Sequence, residues 1–150
     1  MNVDVSSDVE IDCPAAKVSA YAADPDNAPS WYVNIKSVEW MTARSVTVGS
    51  RVAFVAHFLG RRMAYTYEIV EFIPGERLIM RTADGPFPME TTYTWQPVAD
   101  GRTRMTLRNR GTPTGFSMWV APFMAYAMRR ANRKDLARLK RLLESPRVGA

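Results

Sequence analysis

Alternation of apolar and polar residues along most of the chain predicts β-strands. From residue 3 to 11, Val and Ile alternate with Asp, Ser and Glu, a period of two that is typical of a half-buried strand. Further segments of strand character are separated by short turns, and they are residues 35–42, 51–59, 63–73, 77–82, 89–96 and 103–109. Short Gly-containing turns at this spacing favour an antiparallel meander over βαβ units.

The pattern also predicts two short helices between the first two strands. Pro14 lies where a helix would begin, and residues 15–23 are good helix formers. Asp-Pro-Asp-Asn at 24–27 ends this helix, and residues 28–33 add a helical turn that carries Trp31 and Tyr32.

A long helix is predicted from about residue 115 to 145, where the apolar period changes. Apolar residues recur at helical intervals with basic residues mostly on the other side, and they are Met124, Met128, Ala131, Leu139 and Leu142, flanked by Leu136 and Leu143. Pro122 either kinks the first turns or marks the true start. The first part, with Trp119 and Phe123, is apolar nearly all round, so it must be buried or cover something apolar.

Two strands near the end of the meander have one apolar and one polar face. The inward positions are Met89, Thr91, Tyr93 and Trp95 in one strand and Met105, Leu107 and Asn109 in the next. A sheet packed on one side only has such faces. We therefore expect an α+β fold in which one face of an antiparallel sheet is packed against the rest of the chain and the other faces solvent.

Composition is that of an ordinary globular protein. The chain has 150 residues, of which 47% are hydrophobic and 23% charged, and this length fits one domain. The polar N-terminus does not resemble a signal peptide, and the longest apolar stretch, 116–128, is too short to span a membrane. A single cysteine, Cys13, excludes an internal disulfide and a thiolate metal cluster, so we expect a cytoplasmic protein.

The net charge of +5 is concentrated in one segment. Residues 129–147 contain eight basic and two acidic residues, so this segment carries +6 and the remaining chain −1. A solvated basic helix face is the simplest interpretation. An anionic membrane surface and a nucleic acid are the alternatives.

The order strand, two short helices, six strands and long helix resembles a known family, and so do several local patterns. These patterns are Pro14 to Asp24 followed by Trp31, Val38-Glu39-Trp40, Val48-Gly49-Ser50-Arg51, Tyr67 to Leu78, Asp100 to Arg104, and Asp135 to Lys140. Together they resemble the polyketide cyclase/dehydrase-like branch of the START/SRPBCC helix-grip superfamily. The resemblance implies a single ligand-binding domain over 1–150, with a seven-stranded antiparallel sheet around the last helix and a deep hydrophobic cavity between. Its motifs are structural, and none is a catalytic signature.

In that superfamily the first and last strands are antiparallel neighbours, which makes a charge argument testable. The polar face of the first strand here is acidic and that of the last strand is basic, with Asp4, Asp8, Glu10 and Asp12 opposite Arg102, Arg104, Arg108 and Arg110. Opposite charges across strands favour this pairing. The arginine row is therefore better explained by partners in the sheet than by phosphate binding.

No nucleophile, metal or cofactor motif is present in the sequence. His57 is the only histidine, and alternation places it with Arg51 on the polar face, which favours a solvent-facing side chain over an acid or base. Cys13 precedes Pro14 and is interpreted as a small buried filler. We expect no metal and no cofactor.

The candidate ligand-binding residues are those on predicted inward faces and on the short and long helices. They are Trp31, Phe54, Phe58, Tyr65, Tyr67, Met80, Thr82, Met89, Thr91, Tyr93, Trp95, Met105, Leu107, Asn109, Trp119, Phe123, Met124 and Met128. Scattered polar groups among apolar ones are typical of a ligand pocket. Tyr67, Tyr93 and Asn109 are the best catalytic candidates, and Trp31 and Tyr32 are expected near the entrance.

Three functions remain open at this point. The first is binding or transport of a small lipid-like or aromatic molecule, and the second is a polyketide cyclase, aromatase or dehydratase. The cyclase requires at least two of Tyr67, Tyr93, Asn109 and Thr91 to converge in a pocket. The third is docking of the basic helix on an anionic membrane or partner. We expect a small hydrophobic ligand, no nucleic acid, no integral membrane segment, and a monomer or homodimer.

Overall fold

A computed structural model describes residues 3–85, 87–112 and 121–145. In these ranges the elements, in chain order, are β1 (Val3–Ile11), α1 (Ala15–Ala22), a 3-10 turn (Pro25–Asn27), α2 (Ala28–Trp31), β2 (Ile35–Trp40), β3 (Arg51–Phe58), β4 (Arg61–Ile73), β5 (Arg77–Asp84), β6 (Met89–Ala99), β7 (Arg102–Gly111) and α3 (Ala121–Glu144). The strands described form one seven-stranded antiparallel sheet in the order β1-β7-β6-β5-β4-β3-β2. The predicted α+β helix-grip fold is confirmed.

The turn between β3 and β4 is tighter than the sequence pattern predicts. Leu59 and Gly60 both have positive φ angles, 52° and 75°, so the loop has two residues and Phe58 pairs directly with Arg61. Two-residue turns with this backbone twist match the twist of the flanking strands. β4 therefore begins at Arg61 and not at residue 63, because turn geometry and not side-chain polarity sets where pairing starts.

The long strand β4 bends where its pairing with β5 slips. Register shifts lie between Thr66 and Tyr67 and between Ile69 and Glu71. An extra residue in one strand increases the local twist and bends it. These irregularities fall in the middle of the sheet, where a bend helps its inner face to curl around α3.

The helix α3 contacts the sheet differently at its two ends. Its C-terminal half packs Leu136, Leu139 and Leu143 into the main apolar core, which also includes Ile11 and Leu107. Its N-terminal half places Met124 and Met128 against Val3 and Val5 in a smaller cluster. The main core fills one end of the space between sheet and helix. Pro122 is the second residue of α3 as described. Residues 115–120, for which the sequence also predicts helix, lie outside the described residues.

The pairing of β1 with β7 confirms the predicted neighbours, and ion pairs join their outer faces. Arg108 donates to both carboxylate oxygens of Asp4, at 2.9 and 2.6 Å. Arg104 and Arg102 lie 3.2 and 3.7 Å from Glu10. Arg110 departs from the expected pairing, because its charge meets Glu90 on β6 at 2.7 Å. The pairs with Asp4 and Glu10 are solvated on both sides, so each stabilises the sheet only weakly, whereas the Glu90 side chain is largely covered.

Candidate functional site

A cavity of about 160 Å³ lies between the inner face of the sheet and α3. Its walls come from β3 to β7, from the residues around α1 and α2, and from the face of α3 that carries Met124, Met128 and Ala131. Side chains of alternate strand residues point to the same face, so β3 and β4 each contribute every second residue. The interior is mainly apolar, as expected of a ligand pocket.

One wall of the cavity is aromatic. Phe54 contacts Tyr67 with ring centroids 5.8 Å apart, Tyr65 lies 5.9 Å from Tyr67, and Phe87 lies 5.7 Å from Tyr65. The pairs with Phe54 and Phe87 meet edge to face, the arrangement that the ring quadrupole favours. These rings form a continuous surface against which a flat apolar molecule can pack.

The opposite wall contains a chain of hydrogen bonds that runs from β6 through β7 to α3. The Thr91 hydroxyl donates to Asn109 Oδ1 at 2.6 Å, and Asn109 Nδ2 donates to Asn132 Oδ1 at 3.0 Å. Asn132 is 4% exposed, and its Nδ2 has no hydrogen-bond partner among the described residues. The chain therefore ends in a buried amide donor that borders the cavity.

A pair of tyrosine hydroxyls lies at the base of α2. Tyr32 and Tyr93 share a hydrogen bond of 2.5 Å between their hydroxyl oxygens. Burial raises the pKa of Tyr93, the hydrogen bond with Tyr32 opposes this rise, and the nearby Asp135 adds to it. Burial likewise raises the pKa of Tyr32 well above its ordinary value, with a further rise from Tyr93. Both hydroxyls stay protonated at neutral pH and can donate hydrogen bonds.

Asp135 places a carboxyl group at the edge of the same cavity. It is 2% exposed, and its Oδ1 accepts a hydrogen bond of 2.8 Å from the Val33 backbone amide. Burial raises the pKa of Asp135 to about 7, although the Val33 amide and the positive charge of Arg138 act in the other direction. A carboxyl with this pKa exchanges a proton near neutral pH, the property of a general acid or base.

Tyr67 is the other phenol in the interior that sequence analysis singled out. Burial raises the pKa of its hydroxyl to about 12, and an interaction with Thr91 partly offsets this rise. It therefore remains a hydrogen-bond donor over the physiological pH range. Thr91 also belongs to the polar chain, which brings the aromatic wall and the polar wall together at one point.

Eleven of the eighteen residues proposed from sequence line the cavity. They are Phe54, Phe58, Tyr65, Tyr67, Met80, Met89, Thr91, Tyr93, Asn109, Met124 and Met128. The three proposed catalytic residues are among them. Thr91 and Asn109 converge at hydrogen-bonding distance, as the cyclase hypothesis requires.

Six of the proposed residues do not line the cavity. Trp95, Met105 and Leu107 are buried in the main core, at the filled end. Trp31 is also fully buried there, with its ring tilted against that of Tyr32 at 4.2 Å between ring centroids. Their side chains point inward as expected. At that end of the sheet, however, the inner face is covered by packed side chains and not by the cavity.

Thr82 and Phe123 are displaced from the cavity for local reasons. The Thr82 hydroxyl accepts a hydrogen bond of 3.0 Å from the Met89 backbone amide, so it bridges the ends of β5 and β6. Phe123 is 55% exposed on α3. Of the two alternatives for this part of the helix, burial is therefore wrong at Phe123, and so is the prediction that Phe123 binds the ligand in the cavity. The eighteenth residue, Trp119, lies outside the described residues. His57 is exposed and Cys13 is buried, as the alternation and the junction with α1 predict.

The cavity also contains functional groups that sequence analysis did not select. Asn132 and Asp135 add an amide and a carboxyl group to its lining, and Met63 and Phe87 extend its apolar surface. A signal for Asp135 was present, because the apolar positions 124, 128, 131 and 139 leave a gap at 135 on the same helical face. A polar residue in such a gap faces the interior.

Neither a metal centre nor a membrane helix is found in the described ranges. No three His, Cys, Asp or Glu side chains in the described part of the chain are grouped to hold a metal ion. No helix among the described residues has both the length and the apolar character needed to cross a bilayer.

Comparison with known proteins gives one family match and several matches in fold. Residues 2–144 match the family model described as polyketide cyclase/dehydrase and lipid transport. A comparison with curated protein sequences gave no match. A START superfamily protein from Mycobacterium smegmatis aligns with a TM-score of 0.79 and 14% identity, over 94% of this chain and 97% of the other.

Two further solved structures show the same fold. A protein from Thermus thermophilus aligns with a TM-score of 0.80 and 19% identity, over 93% of this chain and 96% of the other. An aromatase/cyclase from a Streptomyces species aligns with a TM-score of 0.78 and 14% identity, over 97% of this chain and 98% of the other. At these identities the likeness concerns the fold alone.

Proposed function

Because the chain belongs to the polyketide cyclase/dehydrase and lipid transport family, we propose that it binds and carries a small apolar molecule in the cavity between the sheet and α3. The observation that carries this proposal is the hollow itself. The sheet and helix leave a cavity of about 160 Å³ between apolar walls. Protein interiors are otherwise close-packed, so this space is unusual. Solved relatives of the same fold include a START superfamily protein and an aromatase/cyclase.

The cavity size limits the guest that fits without rearrangement. An apolar cavity of about 150 Å³ in another protein binds benzene. The volume here, about 160 Å³, therefore accommodates a body of roughly one aromatic ring. A longer molecule would have to displace flexible side chains. Met63, Met89 and Met128 line the cavity, and the unbranched side chain of methionine can be displaced in this way.

The proposal is tested by filling the cavity. Ala131 lines it from α3, whereas Ala137 lies on the same helix, is also half-buried, and does not line it. We expect toluene to bind saturably to the unmodified protein in an NMR titration, Ala131→Leu to weaken that binding by about tenfold or more, and Ala137→Leu to leave it unchanged. The tenfold figure corresponds to the loss of about 1.4 kcal/mol of binding free energy.

Absence of saturable binding by the unmodified protein would reject the proposal, and so would equal binding by the two leucine variants. Native mass spectrometry of the freshly purified protein provides an independent measurement. A mass increase that the Ala131→Leu variant lacks and the Ala137→Leu variant retains would identify a guest carried in this space.

A second candidate function is cyclisation of a carbonyl compound, and Asp135 favours it. Its raised pKa of about 7 lies where a carboxylate can remove a proton from a carbon next to a carbonyl group. The resulting enolate attacks a second carbonyl of the same molecule, and the alkoxide formed there takes the proton back from Asp135. Asp135 then removes a second proton from the same carbon and passes it to the departing hydroxyl, which leaves as water. Tyr93 and Tyr67, with Asn109 beside them, are the hydrogen-bond donors for the oxygen that becomes negative.

A small 1,5-diketone tests this candidate within the available volume. Heptane-2,6-dione closes to 3-methylcyclohex-2-enone with release of water, and the enone is followed by its ultraviolet absorbance. We expect catalysis by the unmodified protein and at least a tenfold loss in both Asp135→Asn and Tyr93→Phe. If the unmodified protein formed the enone no faster than the Ala131→Leu variant does, the cyclase candidate would be rejected and the binding proposal would stand.

A further inference from the structure

We infer that the polar wall of the cavity selects neutral ligands that carry a carbonyl or similar oxygen acceptor, and that it excludes carboxylates. This inference rests on the proposed binding function and specifies the chemical class of the guest. Three features of the described residues support it: an amide donor with its direction set by its neighbours, the absence of a cation in the cavity wall, and a buried carboxyl group beside them.

The direction of the Asn132 amide follows from the hydrogen bonds around it. A hydroxyl donates to Asn109 Oδ1, so Asn109 Nδ2 is left to donate to Asn132 Oδ1. Asn132 Nδ2 is then the end of the chain, buried and without a partner among the described residues. Buried donors in proteins are almost always satisfied, and an oxygen acceptor on the guest satisfies this one.

The charge of the wall determines what kind of oxygen is accepted. The described residues that line the cavity include Asp135 and no Lys, Arg or His. Of all these basic residues in the sequence, only Arg147 lies outside the described ranges. A carboxylate guest would lose its hydrating water molecules on entering the cavity and would find no cation there to pair with. It would also lie near the carboxyl group of Asp135, which would repel it when ionised. A ketone or ester oxygen carries no such cost.

The aromatic wall opposite sets the orientation of the guest. Phe54, Tyr65 and Tyr67 provide a surface for an apolar ring, while Asn132 and Asp135 lie on the helix across from it. A guest with an apolar ring and one neutral oxygen group therefore meets both walls at once. Aryl ketones are the simplest molecules with this form.

The test uses probes of nearly equal shape and different polarity. Acetophenone, α-methylstyrene and benzoate share a phenyl ring with a three-atom planar group, which is a ketone, an alkene or a carboxylate. NMR titrations at about pH 8 measure the affinity of each for the unmodified protein. We expect acetophenone to bind about fivefold more tightly than α-methylstyrene, the effect of one net hydrogen bond. We expect benzoate to bind at least tenfold more weakly than acetophenone.

Variants of Asn132 identify the donor. Asn132→Leu removes the amide at similar volume, and we expect it to abolish the preference for acetophenone over α-methylstyrene. Asn132→Asp keeps the shape and replaces the donor nitrogen with oxygen, so the same loss of preference is expected if the leucine variant does not fold.

The outcomes separate this inference from the function on which it rests. Equal affinity for acetophenone and α-methylstyrene, or benzoate binding as tight as that of acetophenone, would overturn the inference while the cavity still binds apolar guests. Benzylamine binding more tightly than acetophenone would also overturn it, because Asp135 and not Asn132 would then determine selectivity. If no probe binds, the proposed function fails and the inference fails with it.

Discussion

Asp135 and the two tyrosines near it are the residues whose chemistry the fold changes most. The carboxyl group is held out of water on α3, and its hydrogen bond to the Val33 amide joins that helix to the segment after α2. The hydroxyl pair of Tyr32 and Tyr93 joins the same segment to β6. These contacts tie α3 and β6 to the segment after α2 beside the cavity. Their contribution can therefore be measured in the free energy of unfolding as well as in ligand affinity.

The first prediction concerns the pH dependence that Asp135 confers on stability. Its pKa rises from 3.8 to about 7 on folding, so folding favours the protonated form. The stabilising contribution is complete below about pH 4 and is lost as the pH rises through 7. Asp135→Asn keeps an acceptor for the Val33 amide and carries no charge. Relative to the unmodified protein, it should gain on the order of 4 kcal/mol of unfolding free energy between about pH 4 and pH 8.

Urea denaturation across this pH range measures the difference. Asp100→Asn, an exposed carboxyl in the turn before β7, serves as the control and should show no such gain. A constant stability difference between Asp135→Asn and the unmodified protein at all pH values would contradict the prediction.

The second prediction concerns the hydroxyl pair. Tyr93→Phe leaves the Tyr32 hydroxyl without its partner in a buried place, which should lower the unfolding free energy by about 1–3 kcal/mol. The double variant Tyr32→Phe/Tyr93→Phe removes both polar groups together. Its stability should be closer to that of the unmodified protein than the sum of the single changes predicts. Additive losses in a double-mutant cycle would show that the two hydroxyls do not interact.

At the level of elements, α3 has two faces with different roles. The inner face contributes Met124, Met128 and Asp135 to the cavity, and the outer face carries exposed arginines and a lysine. At its start, Phe123 and Tyr126 are each 55% exposed and lie 6.2 Å apart between ring centroids. Exposed aromatic rings next to basic residues are typical of helices that lie on anionic membranes.

The third prediction tests docking of this outer face on an anionic membrane. We expect the protein to sediment with phosphatidylserine vesicles at low salt and to be released at high salt, because screening weakens the attraction. Replacing the exposed Arg130, Arg133 and Lys134 with Gln should remove most of the binding. Lys140 is unsuited to this test, since its Nζ donates to the Glu10 carbonyl at 2.8 Å and contacts Glu144.

Binding of equal strength to neutral phosphatidylcholine vesicles would exclude the electrostatic mechanism. Binding that survives the triple substitution would exclude this face. A matched triple substitution at the exposed Lys17, Lys36 and Arg62, which lie outside α3, controls for the change in net charge.

The fourth prediction concerns the ion pairs between β1 and β7. Asp4→Asn removes the carboxylate that Arg108 contacts, and it should lower the unfolding free energy by less than about 1 kcal/mol, because both groups are solvated. High salt should abolish the difference. A loss of several kcal/mol that persists in high salt would mean that this pair is structural and not peripheral.

The limits of sequence reasoning are clearest in elements that look alike but meet different surroundings. β1 was predicted close to its observed bounds, because a period of two that only Ser7 interrupts runs through the segment. Met89 and Met105 were assigned to inward faces by the same pattern. The first lines the cavity and the second is buried in the core, and the difference depends on which part of α3 each strand meets.

Asn132 and Asp135 show why the polar chemistry of the site was harder to foresee. Asp135 carried a signal in the gap of the apolar pattern, but on a helix with so many charged residues the polar Asn132 is most simply assigned to the solvent-facing side. Only the three-dimensional path of α3 over β7 brings Asn132 to within 3.0 Å of Asn109. Side chains that meet across more than twenty residues of sequence carry no local signal of their contact.

At the level of the whole molecule, the fold combines a filled end and a hollow end around a single helix. The filled end contains the fully buried Ile11, Leu107 and Leu139, and close packing there gives the sheet and helix a rigid common frame. The hollow end is bordered by methionines and aromatic rings that can adjust. Stability and binding are therefore supplied by different parts of one interior.

The edges of the sheet have a consequence for how copies of the molecule meet. At one side the end of α3 covers β1, where Lys140 bonds to the Glu10 carbonyl and Glu144 accepts from the Asp12 amide at 2.7 Å. At the other side β2 is short, irregular between Ile35 and Ser37, and carries the charged Lys36 and Glu39. Covered, charged or distorted borders resist the addition of further strands. Among the strands described, neither border offers a template for fibril growth, so concentrated solutions should stay free of amyloid-like polymer even when the interior is empty.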